Sequence, residues 1–243
     1  EINRMLARIQ ELNQDNLDRQ LLAKNAQIKS LQNQINAHFM YNVLESIKMM
    51  AEIEEKYDIS DAITSLGKMF RYSMKWMTGT VTVEEEITYI SNYLKLLNLR
   101  FDYEIYLSLN IPEEISHMQI PKMLLQPLVE NSIYHGMKVK EGKTGTLYLT
   151  AYKNEDEVII KVSDTGTGMS QEQIDEMNEQ LSRYEDSFGY GVRNVNKRIE
   201  LLFGEGYGLN YQKNDLGGVT VVIHLPYQTE IKKNTAGGEW TCV

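Results

Sequence analysis

Cysteine is almost missing from this 243-residue chain: the single one, Cys242, is the next-to-last residue. No internal disulfide is possible, thiolate clusters around a metal are excluded, and a reducing compartment is the simplest reading. No apolar run reaches the roughly 20 residues needed to span a bilayer. The first residues are polar and helix-forming rather than signal-like, so any membrane anchor is expected outside this chain. Basic residues are in deficit, 25 Lys and Arg against 34 Asp and Glu, for a net charge of -9. That balance argues against a broad surface for nucleic acid or anionic lipid. Glycine and proline are both absent from the first fifty residues, so nothing there interrupts a helix.

What is present suits an ordinary globular chain, with 42% hydrophobic and 24% charged residues. The length allows one large domain or two small ones. The first fifty residues are rich in Leu, Gln, Asn, Lys and Glu, and a helix of that length would run about 75 Å. Its apolar residues recur at heptad spacing, as Ile2, Met5, Ile9 and Leu12 in one phase and Leu21, Ile28 and Ile35, with Leu17 and Leu31, in another. So narrow a seam buries itself against a copy of itself or a partner helix, which predicts a parallel coiled-coil entry into a helical bundle, hence a homodimer. A single helix packed on its own domain is the alternative.

Asp58 to Trp76 reads as a second helix with Ile59, Ile63, Leu66, Met69 and Phe70 on one face. Thr82 followed by Glu84, Glu85 and Glu86 is a capping signal, and the helix it opens runs to about Phe101. Beyond residue 102 the texture changes. Tyr103 to Leu109 alternates like a strand, a helix is predicted from Pro121 to about His135, and Thr146 to Tyr152 with Glu157 to Val162 form a hairpin. Helices near Gln171 to Leu181 and Val192 to Phe203 precede strands at Gly208 to Gln212 and Val219 to Leu225. The expectation is a helical domain, then an α+β domain, then a polar frayed tail over residues 229 to 243.

Gly142-Lys143-Thr144 invites a phosphate-loop reading with Gly136 upstream, but five residues separate the glycines where that loop requires four. A strand rather than a helix follows, so the lysine reads as part of a loop. Three other segments stand in a fixed order. Leu128-Val129-Glu130-Asn131 sits on a helix with His135 four residues later on the same face. Val162 to Met169, with Asp164, Gly166 and Gly168, ends a strand and turns, and Gly189-Tyr190-Gly191-Val192 opens a helix. An Asn side-chain oxygen suits Mg2+, a strand-end carboxylate suits an exocyclic amine, and glycines at a helix N-terminus suit phosphates. Each is weak alone, since Asp and Gly dominate turns anyway; the three in order are specific for a nucleotide.

These segments resemble the N, G1 and G2 boxes of the ATP-binding domain shared by sensor histidine kinases, gyrase, the Hsp90 chaperone and MutL. Gln34 to Asn42, with His38 at its centre, resembles the phospho-acceptor box of the LytS/YesM-type sensor histidine kinases. Leu124 to Asn131 and Arg193-Asn194-Val195 with Arg198 look like the same family. The resemblance covers residues 28 to 227, and Glu1 to Leu12 is similar to the end of a HAMP signalling helix.

The resemblance implies that His38 accepts the γ-phosphoryl group of ATP and passes it to an aspartate of a response regulator. A neutral ring nitrogen is available near cytoplasmic pH, and Asn42 lies one turn further on. From the helix alone, a histidine that sets coiled-coil register is an equal reading. The family further implies Asn131 as Mg2+ ligand, Asp164 as receptor of the adenine amine, and Gly166 and Gly168 as shapers of the adenine turn. Gly189 and Gly191 would flank the phosphates, His135 would join the nucleotide-binding set, and Ser182 to Ser187 would be the ATP lid. Glu130 would polarise the attacking histidine, the alternative being a solvated helix carboxylate.

Three positions depart from the family pattern. Tyr134 stands where Lys is frequent, which leaves open whether Lys138 makes that phosphate contact. Thr165 replaces a common Asn, and Ala37 replaces the Pro that usually precedes the histidine, so the helix is expected to run unbroken through Asn36, Ala37 and His38. The fold class expected is α+β, a long dimeric coiled-coil and helical-bundle domain followed by an α/β sandwich of the GHKL ATPase type. The divisions are 1–27, a signalling helix; 28–102, dimerisation and phosphotransfer; 103–228, ATP binding; and 229–243, the tail. The whole would be the cytoplasmic portion of an inner- or plasma-membrane sensor, using ATP and Mg2+, with a transmembrane sensor upstream and no nucleic acid as partner. An ATP-gated conformational module of the gyrase or Hsp90 type, with His38 structural, is the alternative function, and a scaffold with a degenerate nucleotide domain is a third.

Overall fold

The computed structural model describes residues 24, 37–74, 79–100, 104–137, 144–182, 190–227, 232–233 and 240–241. The heptad seam, the expected continuity through Asn36, Gly189, Lys138 and most of the expected lid lie outside them.

Helix α1, Ala37–Ile53, ends at Glu55, whose φ of 54 is left-handed. Glu55 N–H donates to Glu52 O at 3.1 Å and Lys56 N–H to Ala51 O at 2.8 Å, the paired bonds of a Schellman motif. The chain thereby reverses into α2, Tyr57–Met74. The hairpin is antiparallel. Tyr41 meets Phe70 edge to face with centroids 5.6 Å apart, and at the other end Ser60 Oγ donates to Glu52 Oε1 at 2.9 Å. Of the residues expected on one face of α2, Ile63, Met69 and Phe70 are half-buried, whereas Ile59 and Leu66 are exposed. Phe39, Met50 and Ile53 are exposed with them, Ile53 at 76%. One copy of the hairpin does not cover its own apolar surface.

Strand β1, Thr80–Thr82, leads into α3, Val83–Arg100. Glu85 N–H donates to Thr82 Oγ1 at 3.2 Å while Thr82 N–H donates to Glu85 Oε2 at 3.1 Å, a reciprocal capping box. Val83, Ile90, Leu94 and Leu97 are buried along one stripe of α3. At its end Asn98 holds both backbone groups of Ile105, accepting from the N–H at 2.9 Å and donating to the carbonyl at 3.0 Å. That anchors strand β2, Ile105–Asn110, at the sheet edge.

After a single turn, α4, Glu113–Ser116, strand β3, Gln119–Pro121, pairs antiparallel with β1. The helix expected from Pro121 starts later and ends sooner. Pro121 belongs to β3, Met123 is left-handed at φ 59, and α5 spans Gln126–Asn131 with Pro127 in its first turn. Ser132–Gly136 then widens into a π turn closed by Met137 N–H on Ser132 O at 2.9 Å.

The five-stranded sheet has the order β2-β4-β5-β7-β6, where β4 is Gly145–Asn154, β5 Glu157–Asp164, β6 Gly208–Lys213 and β7 Val219–Pro226. Only β2 and β4 are parallel. Leu147, Leu149, Ile160, Val162, Val221 and Ile223 alternate onto one buried face. Helices α6, Gln171–Ser182, and α7, Tyr190–Phe203, contribute Ile174, Val192, Val195 and Ile199 to the same core. That core runs without a break from Tyr72 and α3 into the sheet. Within the expected frayed tail, Lys232–Lys233 pairs antiparallel with Trp240–Thr241. Among the described residues no helix is long and apolar enough to cross a membrane.

Candidate functional site

Asp164 closes β5, only 2% exposed. Its Oδ1 accepts from Gly166 N–H at 2.9 Å and from Val219 N–H at 3.4 Å, and the Ser132 hydroxyl also bonds the carboxylate. Burial pushes the carboxyl above its ordinary range, and these donors pull it back only in part. The main chain closes around it. A Cβ at Gly136 would lie 2.9 Å from the Asp164 carboxylate, one at Gly166 2.0 Å from Gly136 O, and one at Gly218 2.0 Å from Asp164 O. Gly168 needs its freedom for a second reason, since φ is +69 there. Thr167 N–H donates to Gly136 O at 2.9 Å, fastening the turn after β5 to the end of the π turn.

Sequence reasoning found Asp164, Gly166 and Gly168 but missed Ser132, Gly218 and Asn214, and it met Gly136 only in the rejected phosphate loop. Asn214 Nδ2 donates to Asp164 O at 2.9 Å while its Oδ1 accepts Gly218 N–H at 2.9 Å. These residues come from two segments, 132–136 and 214–218, both distant in sequence from Asp164, and carry no local signal. Thr165 has a structural task, its Oγ1 accepting Thr146 N–H at 3.0 Å at the start of β4.

Asn131 ends α5, half-buried, and its amide makes no hydrogen bond among the described residues. Glu130 Oε1 accepts from Gln126 Nε2 at 2.8 Å. His135 does not follow Asn131 on one α-helical face, because the intervening turn is π; the ring is exposed. Tyr134, at the departure from Lys, takes a hydrogen bond from the Tyr93 hydroxyl of α3 at 3.3 Å. Gly191 lies in the first turn of α7, where a Cβ would meet only Pro127 Cβ, at 3.6 Å.

His38 is exposed on α1, and Asn42 Nδ2 lies 3.2 Å from its Nδ1. A histidine kinase family model matches residues 26–105, and a model for histidine kinase-, DNA gyrase B- and HSP90-like ATPases matches 119–229. Over 227 residues, 93% of this chain and 38% of the relative, it is 34% identical to the sensor histidine kinase YesM of Bacillus subtilis. The chain belongs to the sensor histidine kinases of the YesM/LytS type.

The chain is also 29% identical to the sensor protein LytS of Staphylococcus haemolyticus over 220 residues, 90% of this chain and 37% of that protein. It thus spans little more than a third of the length of these two relatives. Among solved structures, the histidine kinase domain of the blue-light activated histidine kinase of Erythrobacter litoralis aligns over 78% of this chain and 93% of that one, at 14% identity and a TM-score of 0.45.

A buried carboxylate that sequence reasoning passed over is Glu86. In the triplet Glu84-Glu85-Glu86 the first is exposed and the second forms the capping box, while Glu86 is 1% exposed. It sits on the buried stripe of Val83, Ile90, Leu94 and Leu97, and a carboxylate at that spacing was the available signal. Burial pushes its carboxyl upward, against hydrogen bonds from Tyr72 and the backbone of Leu125, Met123 and Gln126.

Proposed function

We propose that this kinase core binds Mg-ATP, phosphorylates its own His38, and hands the phosphoryl group to an aspartate of a response regulator. The observation that carries the reading is the presence, on one chain, of an exposed histidine on a hairpin helix and a buried, glycine-cradled carboxylate in an ATPase-type sheet. The cradle fits a base edge. Asp164 offers an acceptor to the adenine amine while backbone N–H groups and Ser132 hold it in one orientation. Asn131, whose amide is unengaged among the described residues, would hold Mg2+ together with phosphate oxygens. That ion would offset phosphate charge. Gly191 and Gly189 would let the opening of α7 approach the phosphates, with Ser182 to Ser187 as lid and His135 at the rim.

At His38 an N–P bond forms as the bond from the γ-phosphorus to the β,γ-bridging oxygen breaks, its electron pair leaving with ADP. The ring must present an unprotonated nitrogen, and Asn42 is placed to govern which one, with Glu130 as the expected polarising carboxylate. Exposed Phe39, Met50 and Ile53 support a homodimer formed through the hairpin. The division proposed is residues 1–27 as signalling helix, 28–102 for dimerisation and phosphotransfer, 103–228 for ATP binding, and 229–243 as tail. The full protein would carry a transmembrane sensor upstream and keep this part in the cytoplasm.

The test is the fate of γ-32P from labelled ATP. Acid-labile, base-stable label on the protein, lost in His38→Ala with ATP affinity unchanged, is the expected result. Free phosphate alone would instead favour an ATP-gated module, and label persisting in His38→Ala would remove the histidine from its role.

A further inference from the structure

The turn between β3 and α5 is held by side chains from three helices. Met123, left-handed at φ 59, has its N–H donated to Glu86 Oε1 and its carbonyl taken by Arg198 Nη2 of α7 at 2.9 Å. A branchless glycine would be the usual choice there. Here a carboxylate and a guanidinium grip the two backbone groups of one peptide position instead. Glu86 Oε2 also accepts Leu125 N–H at 3.0 Å, and the Gln126 N–H adds to the carboxylate. These are the unpaired donors at the start of α5, whose own sequence supplies no capping side chain. A residue of α3 is therefore the cap of the helix that ends in Asn131.

The third helix is α2 of the hairpin. The Tyr72 hydroxyl donates to Glu86 Oε1, the same oxygen that receives Met123 N–H, and lies 3.3 Å from that N–H. One residue on, Ser73 O accepts from Lys122 Nζ at 3.0 Å, and Lys122 stands 4.9 Å from the centre of the Tyr72 ring. The end of the helix packed against the His38 helix is thus bonded to the turn that starts the Asn131 helix, and that turn is bonded to the helix carrying Gly191.

We propose that Tyr72 is a positioning residue for phosphorylation of His38, transmitting the placement of the hairpin through Glu86 and Met123 to the two helices that flank the nucleotide. The inference rests on the kinase reading above. It differs from simple packing in what it requires of one hydroxyl. Removing that oxygen leaves the ring against Tyr89, 4.8 Å away between centroids, and leaves the Asp164 cradle untouched.

The experiment compares unaltered protein with Tyr72→Phe in the dimer. The maximal rate of His38 labelling at saturating ATP is expected to fall about tenfold or more, as for loss of a hydrogen bond to a charged group, while KM and Kd for ATP stay within about twofold. An unchanged rate, or equal losses in rate and affinity, would overturn the proposal. Hydrogen exchange on the unaltered protein with and without Mg-AMPPNP reads the same link without any variant, should Tyr72→Phe fold poorly. Residues 70–74 and 122–126 are expected to gain protection together; protection of 122–131 with none at 70–74 would refute the coupling. If the unaltered protein acquires no acid-labile label, the kinase reading fails, whereas the exchange arm still decides the link.

Discussion

Asn42 Nδ2 approaches His38 Nδ1 at 3.2 Å across one turn of α1. An amide N–H pointing at Nδ1 makes that nitrogen the acceptor and places the ring proton on Nε2, which then has no lone pair for phosphorus. Turning the amide over presents Oδ1, which would hold a proton on Nδ1 and free Nε2. Asn42 is therefore suited to switch the ring between a resting and a reactive tautomer. Asn42→Asp, which only accepts, is expected to retain labelling, while Asn42→Ala loses about 2- to 12-fold, the range for a net hydrogen bond of 0.5–1.5 kcal/mol. Nitrogen NMR of the ring in both variants identifies the tautomer. Equal rates in the two would show that Asn42 does not govern it.

Thr82 and Glu85 close the α3 capping box, and α3 carries both Glu86 and the Ile105 anchor. Thr82→Ala is expected to cost about 0.5–2 kcal/mol. For a chain of this size each kcal/mol moves Tm by about 2–4 °C. A calorimetric Tm unchanged by Thr82→Ala would mean that the box contributes nothing to the fold.

The hairpin β4-β5 and helices α2, α3, α6 and α7 were legible because their signals are local: alternation, a cap, an apolar stripe. The segment from Pro121 to His135 was not. Its apolar run reads as one helix, but the turn at Met123 is imposed by Glu86 and Arg198 from 37 and 75 residues away, and no local residue announces it. The same holds for the cradle. Asp164 and its glycines follow turn chemistry, whereas Ser132, Gly136 and Gly218 matter only because the fold presses three backbones onto one carboxylate.

Gly166 and Gly191, both proposed for the nucleotide site, answer to different demands, which makes them separable. Gly166→Ala would set a methyl 2.0 Å from Gly136 O, so backbone must move and the fold should lose about 1–3 kcal/mol or more together with ATP binding. Gly191→Ala meets Pro127 Cβ at an ordinary 3.6 Å. Its Tm is expected to stay or rise slightly, since alanine favours the helix over glycine by about 0.5–1 kcal/mol. Any fall in ATP affinity for Gly191→Ala at unchanged Tm then reports close approach of the phosphates. Undiminished affinity would take Gly191 out of the nucleotide site.

Asp164→Asn tests the cradle twice. Burial raises the Asp164 carboxyl above its unfolded value. The stability such a group contributes is fully present below the unfolded value and is lost as pH rises through the folded one. The unaltered protein should therefore lose stability from this residue as pH climbs from about 4 toward neutrality, and Asp164→Asn, with no charge to bury, should not. The difference in Tm, variant minus unaltered, is expected to grow with pH across that interval; a difference that shrinks would mean the carboxylate is stabilised rather than strained by its site. The second readout is the base. Asparagine keeps an oxygen for Gly166 and Val219 N–H but turns an amide N–H toward the place of the adenine amine, setting donor against donor. ATP binding should weaken by about 1–3 kcal/mol, while GTP, which lacks that amine, should not weaken in parallel. Parallel loss for both nucleotides would show that Asp164 supports the pocket without reading the base.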